Sequence, residues 1–363
     1  MPFDQKETAE LIVEGQRFRD WETIRVEREF GVLPHTCMFT TSEAAPGANV
    51  MASLQIKPGD KYEIKLAGMT AQKGYINIRQ SSYDAHRHGV MIQGRSYSQD
   101  PVDSSVMFDR TKNELKGQTF QGIANNVLKP YGMSIECKGD AASKPFERER
   151  IIPGESCFSL LERLARSREL YLGEDFEGNL LAISGPEGEA GQLVEGQNIL
   201  SARVTINDTF ISQREVQLGQ RWATDDYYGK PPAQIKDDQT VEAVKRLREK
   251  TSISNKPVTT EEAKLQNKNN IIWNAAVVIE ATIMVQGWLA SGGGGLWKEG
   301  QTAKVKSKMA MLDQSLFIQK VTFGQDNAAG THTILQLNNW PKGAIILPSP
   351  SIGAPQSGEG GQQ

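Results

Sequence analysis

Residues 279–337 alternate in character in a way that only antiparallel β-structure satisfies. Ile279, Ala281, Ile283 and Val285 share one face of an extended segment, and Leu316 and Ile318 share another. Period two with a single apolar face marks strands that bury one side. The segments 279–288, 296–300, 316–323 and 331–337 follow one another as short strands, with glycine-rich turns between them. The four glycines 292–295 lie between strands and lead into no Lys-Ser or Lys-Thr helix start. They read as a hairpin tip and not as a phosphate cradle.

The first hundred residues show the same habit. In 21–27, Ile24 and Val26 face one side while Arg25 and Glu27 face the other; residues 51–56 read as a further strand. Tyr62, Ile64 and Leu66 alternate with Lys61, Glu63 and Lys65, and Ile76 and Ile78 with Asn77 and Arg79. His86, His88, Val90 and Ile92 share a phase. Short strands with frequent turns predict a barrel or sandwich over residues 1–105.

The stretch 106–188 breaks the pattern with two helix–strand units. Phe120, Ile123, Ala124, Val127 and Leu128 form one apolar stripe, and Phe158, Leu161, Leu164 and Ala165 another. Thr119 and Ser156 stand where N-caps belong. Residues 174–179 read as a hairpin turn. Strands resume at 189–219, Val204 and Ile206 alternating with Thr205 and Asn207. A polar insertion, 220–276, comes next, in which 241–250 reads as a short surface helix. Thr259 and Glu262 open a second helix with a capping box. The predicted architecture is α+β: two small antiparallel β-barrels (1–105, and 189–219 with 277–346) flank a small α/β domain. Residues 347–363 read as a disordered tail.

Composition excludes several functions. A formal charge of -3 argues against a protein that coats nucleic acid. No apolar run approaches the ~20 residues of a membrane span, which predicts no membrane anchor. The opening residues carry no secretory signal pattern, which implies synthesis in the cytoplasm. Cys37, Cys137 and Cys157 are odd in number and widely spaced, so they read as reduced, half-buried small hydrophobes.

Candidate chemistry is sparse. There is no Gly-x-Ser-x-Gly elbow, and His35, His86, His88 and His332 are the only histidines available as a base. His332 reads as a half-exposed strand residue. Asp84, His86 and His88 are spaced to share a strand face, but lack the fourth ligand that a closed metal site needs. The acid pairs Glu174–Asp175 and Asp225–Asp226 read as solvated, and Trp222, Tyr227 and Tyr228 as a contact patch for another protein. No catalytic, cofactor-binding or metal-ligating residue is assigned, and no enzyme activity is expected.

The order of parts resembles the baseplate hub proteins of contractile-tailed bacteriophages. It is most similar to the tail protein of Mu-like phages and, in fold, to the T4-type hub and the P2-type late-control tail proteins. The resemblance rests on Val13-Glu-Gly-Gln16 with Trp21, the strand 76–80 and Gly94-Arg-Ser96. It also rests on Pro153-Gly-Glu-Ser156 with residues 161–165, and on Val285-Gln-Gly-Trp288 with Leu296-Trp297. It implies a homotrimer whose twin barrels imitate sixfold symmetry, joining a hexameric tail tube or distal tail protein to a trimeric spike. Other baseplate proteins would be neighbours, DNA would be present only in transit through the channel, and the location would be the virion tail. The alternatives are the equivalent hub of a bacteriocin or secretion-type particle, or a hub with peptidoglycan-hydrolase activity.

Overall fold

The computed structural model describes residues 8–42, 56–84, 88–106, 114–138, 140–146, 149–221, 234–242, 244–255, 257–291 and 294–340. Most of it is antiparallel sheet, with few helices. The N-terminal strands are β1 (Ala9–Val13), β2 (Gln16–Phe18), β3 (Thr23–Glu29), β4 (Val32–Ser42), β5 (Lys61–Leu66), β6 (Met69–Tyr83) and β7 (His88–Ser96). Ile24 and Val26 point into the core, as do Tyr62, Ile64 and Leu66, in the phases that alternation predicts. Ile76 is buried, but Ile78 is 48% exposed. A bulge between the two turns the strand over, and a bulge leaves no trace in local alternation.

The short helix α1 (Gln99–Asp103) leads into a compact unit of α2 (Phe120–Leu128), β8 (Ile135–Lys138), α3 (Cys157–Ser167), β9 (Tyr171–Glu174) and β10 (Leu180–Ile183). The two expected caps are in place: Thr119 Oγ1 accepts from Gly122 N and Ser156 Oγ from Ser159 N. Both apolar stripes close on one core of Phe120, Ile123, Leu128, Leu160, Leu161 and Leu164. β10 runs parallel to β8 and antiparallel to β9, the latter through the expected hairpin.

The C-terminal strands are β11 (Glu189–Val194), β12 (Ile199–Ile206), then β16 (Ile279–Gln286), β17 (Thr302–Ser307), β18 (Leu312–Asp326) and β19 (Gly330–Asn338). Between β12 and β16 lies a separate three-stranded sheet, ordered β14-β13-β15, of β13 (Arg214–Gly219), β14 (Ile235–Thr240) and β15 (Glu249–Ile253). The helix α4 (Thr260–Ala276) covers it and opens with the reciprocal Thr259–Glu262 capping box. The described residues of 241–250 form no helix, contrary to expectation: the end of that span is β15, which pairs in parallel with β13.

Pairing among the described residues forms no closed barrel. β3 hydrogen-bonds along β18 in the register Lys320↔Glu29 to Gln325↔Ile24. The two β regions are thereby fused into one continuous sheet, ordered β12-β16-β19-β18-β3-β4-β7-β6-β5-β1-β2, with β17 and β11 branching from β18. One apolar core runs through both, from Leu11, Phe39 and Ile64 to Trp288, Val321 and Phe323.

Within that sheet the topology is repeated. The first region reads β1-β5-β6-β7-β4-β3, and the second β11-β17-β18-β19-β16-β12. The long strands β6 and β18 each have 15 residues. Each carries a bulge, between Ile76 and Ile78 in one and between Ile318 and Lys320 in the other. Cross-strand rows align as well: Arg25–Met38–Gln93–Ile78 corresponds to Arg203–Thr282–Gln336–Lys320. One difference is that β1 meets β5 antiparallel, whereas β11 meets β17 in parallel.

Close backbone approach explains Gly74 in β6: a Cβ there would stand 1.9 Å from the Arg95 carbonyl oxygen. Gly74→Ala should cost about 1–3 kcal/mol, the range for forced overpacking. Gly89→Ala, whose Cβ would first meet Ser82 Oγ at 3.4 Å, should cost far less. Urea denaturation midpoints of the two variants check this.

Candidate assembly site

Three features distinguish the sheet from a closed protein core. Its first is a face whose side chains are exposed or half-buried among the described residues. Residues that alternate with the core positions project from it: Arg25, Glu27 and Glu29 on β3, Thr36 on β4, Arg95 on β7, Arg203 on β12, Glu280 and Thr282 on β16, Lys320 on β18 and Gln336 on β19. Charges of both signs are interspersed, with Lys320 Nζ 2.9 Å from Glu27 Oε2. Met38, Met91 and Met284 are half-buried among them. The face is hydrophilic and close to neutral.

The second feature is a pair of free strand edges. Among the described residues β12 pairs only with β16, and β6 beyond Ile78 pairs only with β7. These are not arbitrary edges. β3, the counterpart of β12, uses its outer edge to bind β18, the counterpart of β6. Among the described residues the sheet thus presents unpaired copies of both halves of its own internal joint. Unpaired strand edges are templates for another chain.

The third is a buried ionic junction. Arg28 sits on β3 in phase with Ile24 and Val26 and is 0% exposed. Its Nε donates to Glu299 Oε1 and Oε2, both at 3.1 Å, and Nη2 to Oε1 at 2.8 Å. Nη1 donates to the Ala71 carbonyl at 3.1 Å, and Nη2 to those of Glu174 and Asp175 at 2.7 and 3.2 Å. The Phe176 ring lies 4.5 Å from the guanidinium carbon. One side chain from the first β region therefore grips the middle unit and the second β region together.

Glu174 is buried next to it. Its Oε2 accepts from Ser96 Oγ at 2.8 Å and Ser98 Oγ at 2.5 Å. Burial pushes its carboxyl up to about 7, with Glu299 adding to the rise; Arg28 and the two serines pull it back. His35, also buried, is held well below the usual imidazole range by burial and by the Arg28 charge. It is neutral, so its 3.8 Å approach to Glu299 is not an ion pair. Burial likewise lifts the Cys37 thiol to about 12 and the Tyr62 phenol well above its ordinary value. None of these groups is poised as a nucleophile at neutral pH.

The sequence candidates fall elsewhere or change character. Glu174 is a buried acid, not a solvated one, because the hairpin folds under the first β region; Asp175 shapes the turn by accepting from Glu177 N and Asn179 N. His332 is buried, not half-exposed: its ring covers Gly324 and its Nδ1 faces the Gly330 carbonyl at 3.0 Å. Asp84 lies just past the end of β6, while His86 and the side chain of His88 lie outside the described residues. Trp222, Asp225, Asp226, Tyr227, Tyr228, Gly292 and Gly293 also lie outside them, as does the strand read over 51–55. Ala290 N donates to the Gly295 carbonyl across the glycine turn. Cys37 and Cys157 are buried and Cys137 half-buried. Among the described residues, no group of three His, Cys, Asp or Glu could hold a metal ion, and no helix is long and apolar enough to cross a membrane. Arg28 and Glu299 were not foreseen. The signal was an arginine in the inward phase of a strand.

Residues 8–96 match the model of the Mu phage baseplate assembly protein GpP-like family, N-terminal part, and residues 98–183 that of the baseplate hub protein gp44-like family, second domain. The first half of the chain thus resembles baseplate hub proteins, those of Mu-like phages among them. The chain is similar in structure to the 43 kDa tail protein of prophage MuSo2 from Shewanella oneidensis. The two share 24% identity and a TM-score of 0.81, over 92% of this chain and 98% of that one. A tail protein from Neisseria meningitidis MC58 shares 18% identity and a TM-score of 0.73, over 93% and 98%. The E. coli c3393 protein, a component of the type VI secretion system, shares the fold at 10% identity and a TM-score of 0.55, over 90% of this chain and 76% of that one. Among curated protein sequences none matches this chain. Both matched family models describe baseplate proteins.

Two predictions concern the junction. Glu299→Ala leaves the Arg28 charge buried and uncompensated, and should cost about 3–5 kcal/mol in chemical denaturation; Arg28→Met with Glu299→Leu should cost less than Glu299→Ala alone. The second is a pH dependence. A carboxyl that titrates higher folded than unfolded stabilises the fold most when protonated, and that contribution is lost as pH rises through about 7. The stability difference between Glu174→Gln and wild type should therefore shift in favour of the variant by about 3 kcal/mol between pH ~4.5 and ~7.5. Denaturation midpoints across that range measure it, and a flat difference counts against a buried, raised carboxyl.

Proposed function

We propose that this protein is a baseplate hub, a non-enzymatic, homotrimeric ring in the phage tail that joins a hexameric tube or distal tail protein to a trimeric spike. The observation that carries this reading is the repeated strand order together with two edges that copy the internal β3–β18 joint. Head-to-tail use of one joint generates a ring when its rotation closes. Two equivalent β regions per chain, in three chains, give six similar positions. The true symmetry remains threefold, because the insertion β13–β15 with α4 occurs in only one region. Such a ring meets a sixfold neighbour on one side and a threefold neighbour on the other.

Transferring the internal register outward specifies the joint. Lys320↔Glu29, Thr322↔Glu27 and Gly324↔Arg25 become Ile78↔Asn207, Gln80↔Thr205 and Ser82↔Arg203 of the next subunit. The near-neutral, hydrophilic sheet face suits the wall of a channel through which DNA passes, since a densely basic wall would retain phosphate. Neighbouring baseplate proteins and assembly in the host cytoplasm complete the reading, and the raised pKa values of the buried thiol and phenol support its non-enzymatic part.

Gln80→Cys combined with Thr205→Cys should give a disulfide-linked trimer under mild oxidation, with each single variant staying uncrosslinked. Light scattering should return three times the chain mass. A strictly monomeric species at high concentration, or cross-links at a shifted register, would contradict this joint.

A further inference from the structure

The repeat of strand order carries an aromatic pair with it. Superposing β18 on β6 and β19 on β7 through their bulges sets Phe317 on Tyr75, because Phe317 pairs with Asn338 as Tyr75 pairs with Arg95. Two residues further on, Trp340 corresponds to Tyr97. In both copies the two rings touch, with centroids 4.4 Å apart for Phe317 and Trp340 and 5.1 Å for Tyr75 and Tyr97. The bulge residues, Gln319 and Asn77, correspond as well, and both are carboxamides.

In the second region a third ring completes the pair from across the internal joint. Phe30 directly follows β3; its N donates to the Gln319 carbonyl at 2.8 Å, and Gln319 Nε2 donates to the Phe30 carbonyl at 3.1 Å. The bulge residue thereby sets the Phe30 ring 5.0 Å from Phe317, edge to face, and 6.1 Å from Trp340. Among the described residues the Tyr75–Tyr97 pair has no third ring, and both tyrosines are half-buried.

In the joint between copies β12 stands where β3 stands within one. The register that sets Ile78 on Asn207 brings the residues after Asn207 to the Asn77 bulge and to Tyr75. Those residues form the turn 208–211, which presents Phe210 with its side chain 53% exposed. The turn is held firmly. Thr209 N donates to Asn207 Oδ1 at 2.9 Å, and Arg248 Nη1 donates to the carbonyls of Thr209 and Ile211 at 3.2 and 2.9 Å.

We propose that Phe210 of one copy closes on Tyr75 and Tyr97 of the next, repeating between chains the clasp that Phe30 makes on Phe317 and Trp340 within one. This rests on the ring reading above and adds a side-chain contact at the end of the β12–β6 ladder. Three packed rings fix where that ladder ends, and so disfavour a two-residue slip that keeps every side chain on its face.

Light scattering over a concentration series tests it on the full chain, Phe210→Ala, Tyr75→Ala and the double variant. Each single change should weaken trimer formation by about three- to tenfold per joint. The double variant should lose no more than the weaker single, since both changes remove one contact. Phe210→Tyr, which keeps a ring, should assemble like wild type. At concentrations where the chain is monomeric, Phe210→Ala should keep the wild-type urea midpoint, which makes its loss one of assembly and not of folding. Wild-type association of Phe210→Ala, or additive effects of the two changes, would overturn the clasp while a Gln80–Thr205 cross-link still upheld the ring. A wild-type chain that never trimerises would overturn both.

Discussion

The structure depends on the hydrogen-bonded joint between β3 and β18. Without it the chain would be two β regions tied by a linker; with it, they share one sheet and one apolar core. Main-chain pairing sets their relative register, and the Arg28–Glu299 contact locks it by linking both regions to the middle hairpin. A buried ion pair is weak evidence for added stability, but a guanidinium with partners in three regions permits few other arrangements. Specificity of assembly is its natural role.

The same joint explains why a chain proposed to build a ring needs no closed barrels. Closure would consume the edges that are left open at β12 and along β6. Long open edges are an aggregation hazard in an isolated protein. Here the exposed β12 carries Arg203 and Ser201 among its outward residues, and β6 ends in the polar run Gln80-Ser-Ser82, which moderate promiscuous pairing. The proposed ring would use the polar, charge-balanced sheet face and the edges together.

Much of this was legible in local sequence, because strand alternation and helix caps are local effects. Ile279, Ala281, Ile283 and Val285 are buried in the phase their spacing dictates, and Thr119, Ser156 and Thr259 cap the helices they precede. Failures came where distant partners decide. Residues 241–250 combine apolar spacing and dense charge as a surface helix does, yet pairing with β13 makes their end a strand. Barrel closure was expected because alternation reports which face is buried, not which edge pairs. Glu174 looked like a turn acid, and only the packing of three regions around Arg28 buries it. The repeat of strand order is invisible at residue level, since the two copies share a topology and a bulge but few side chains.

Electron micrographs of the purified full-length protein offer the most direct test of twin β regions acting as six equivalent positions. Averaged images should show a ring of three subunits with six similar lobes around an open centre. Isolated monomers, or a closed twofold dimer that buries the β12 and β6 edges, would contradict it.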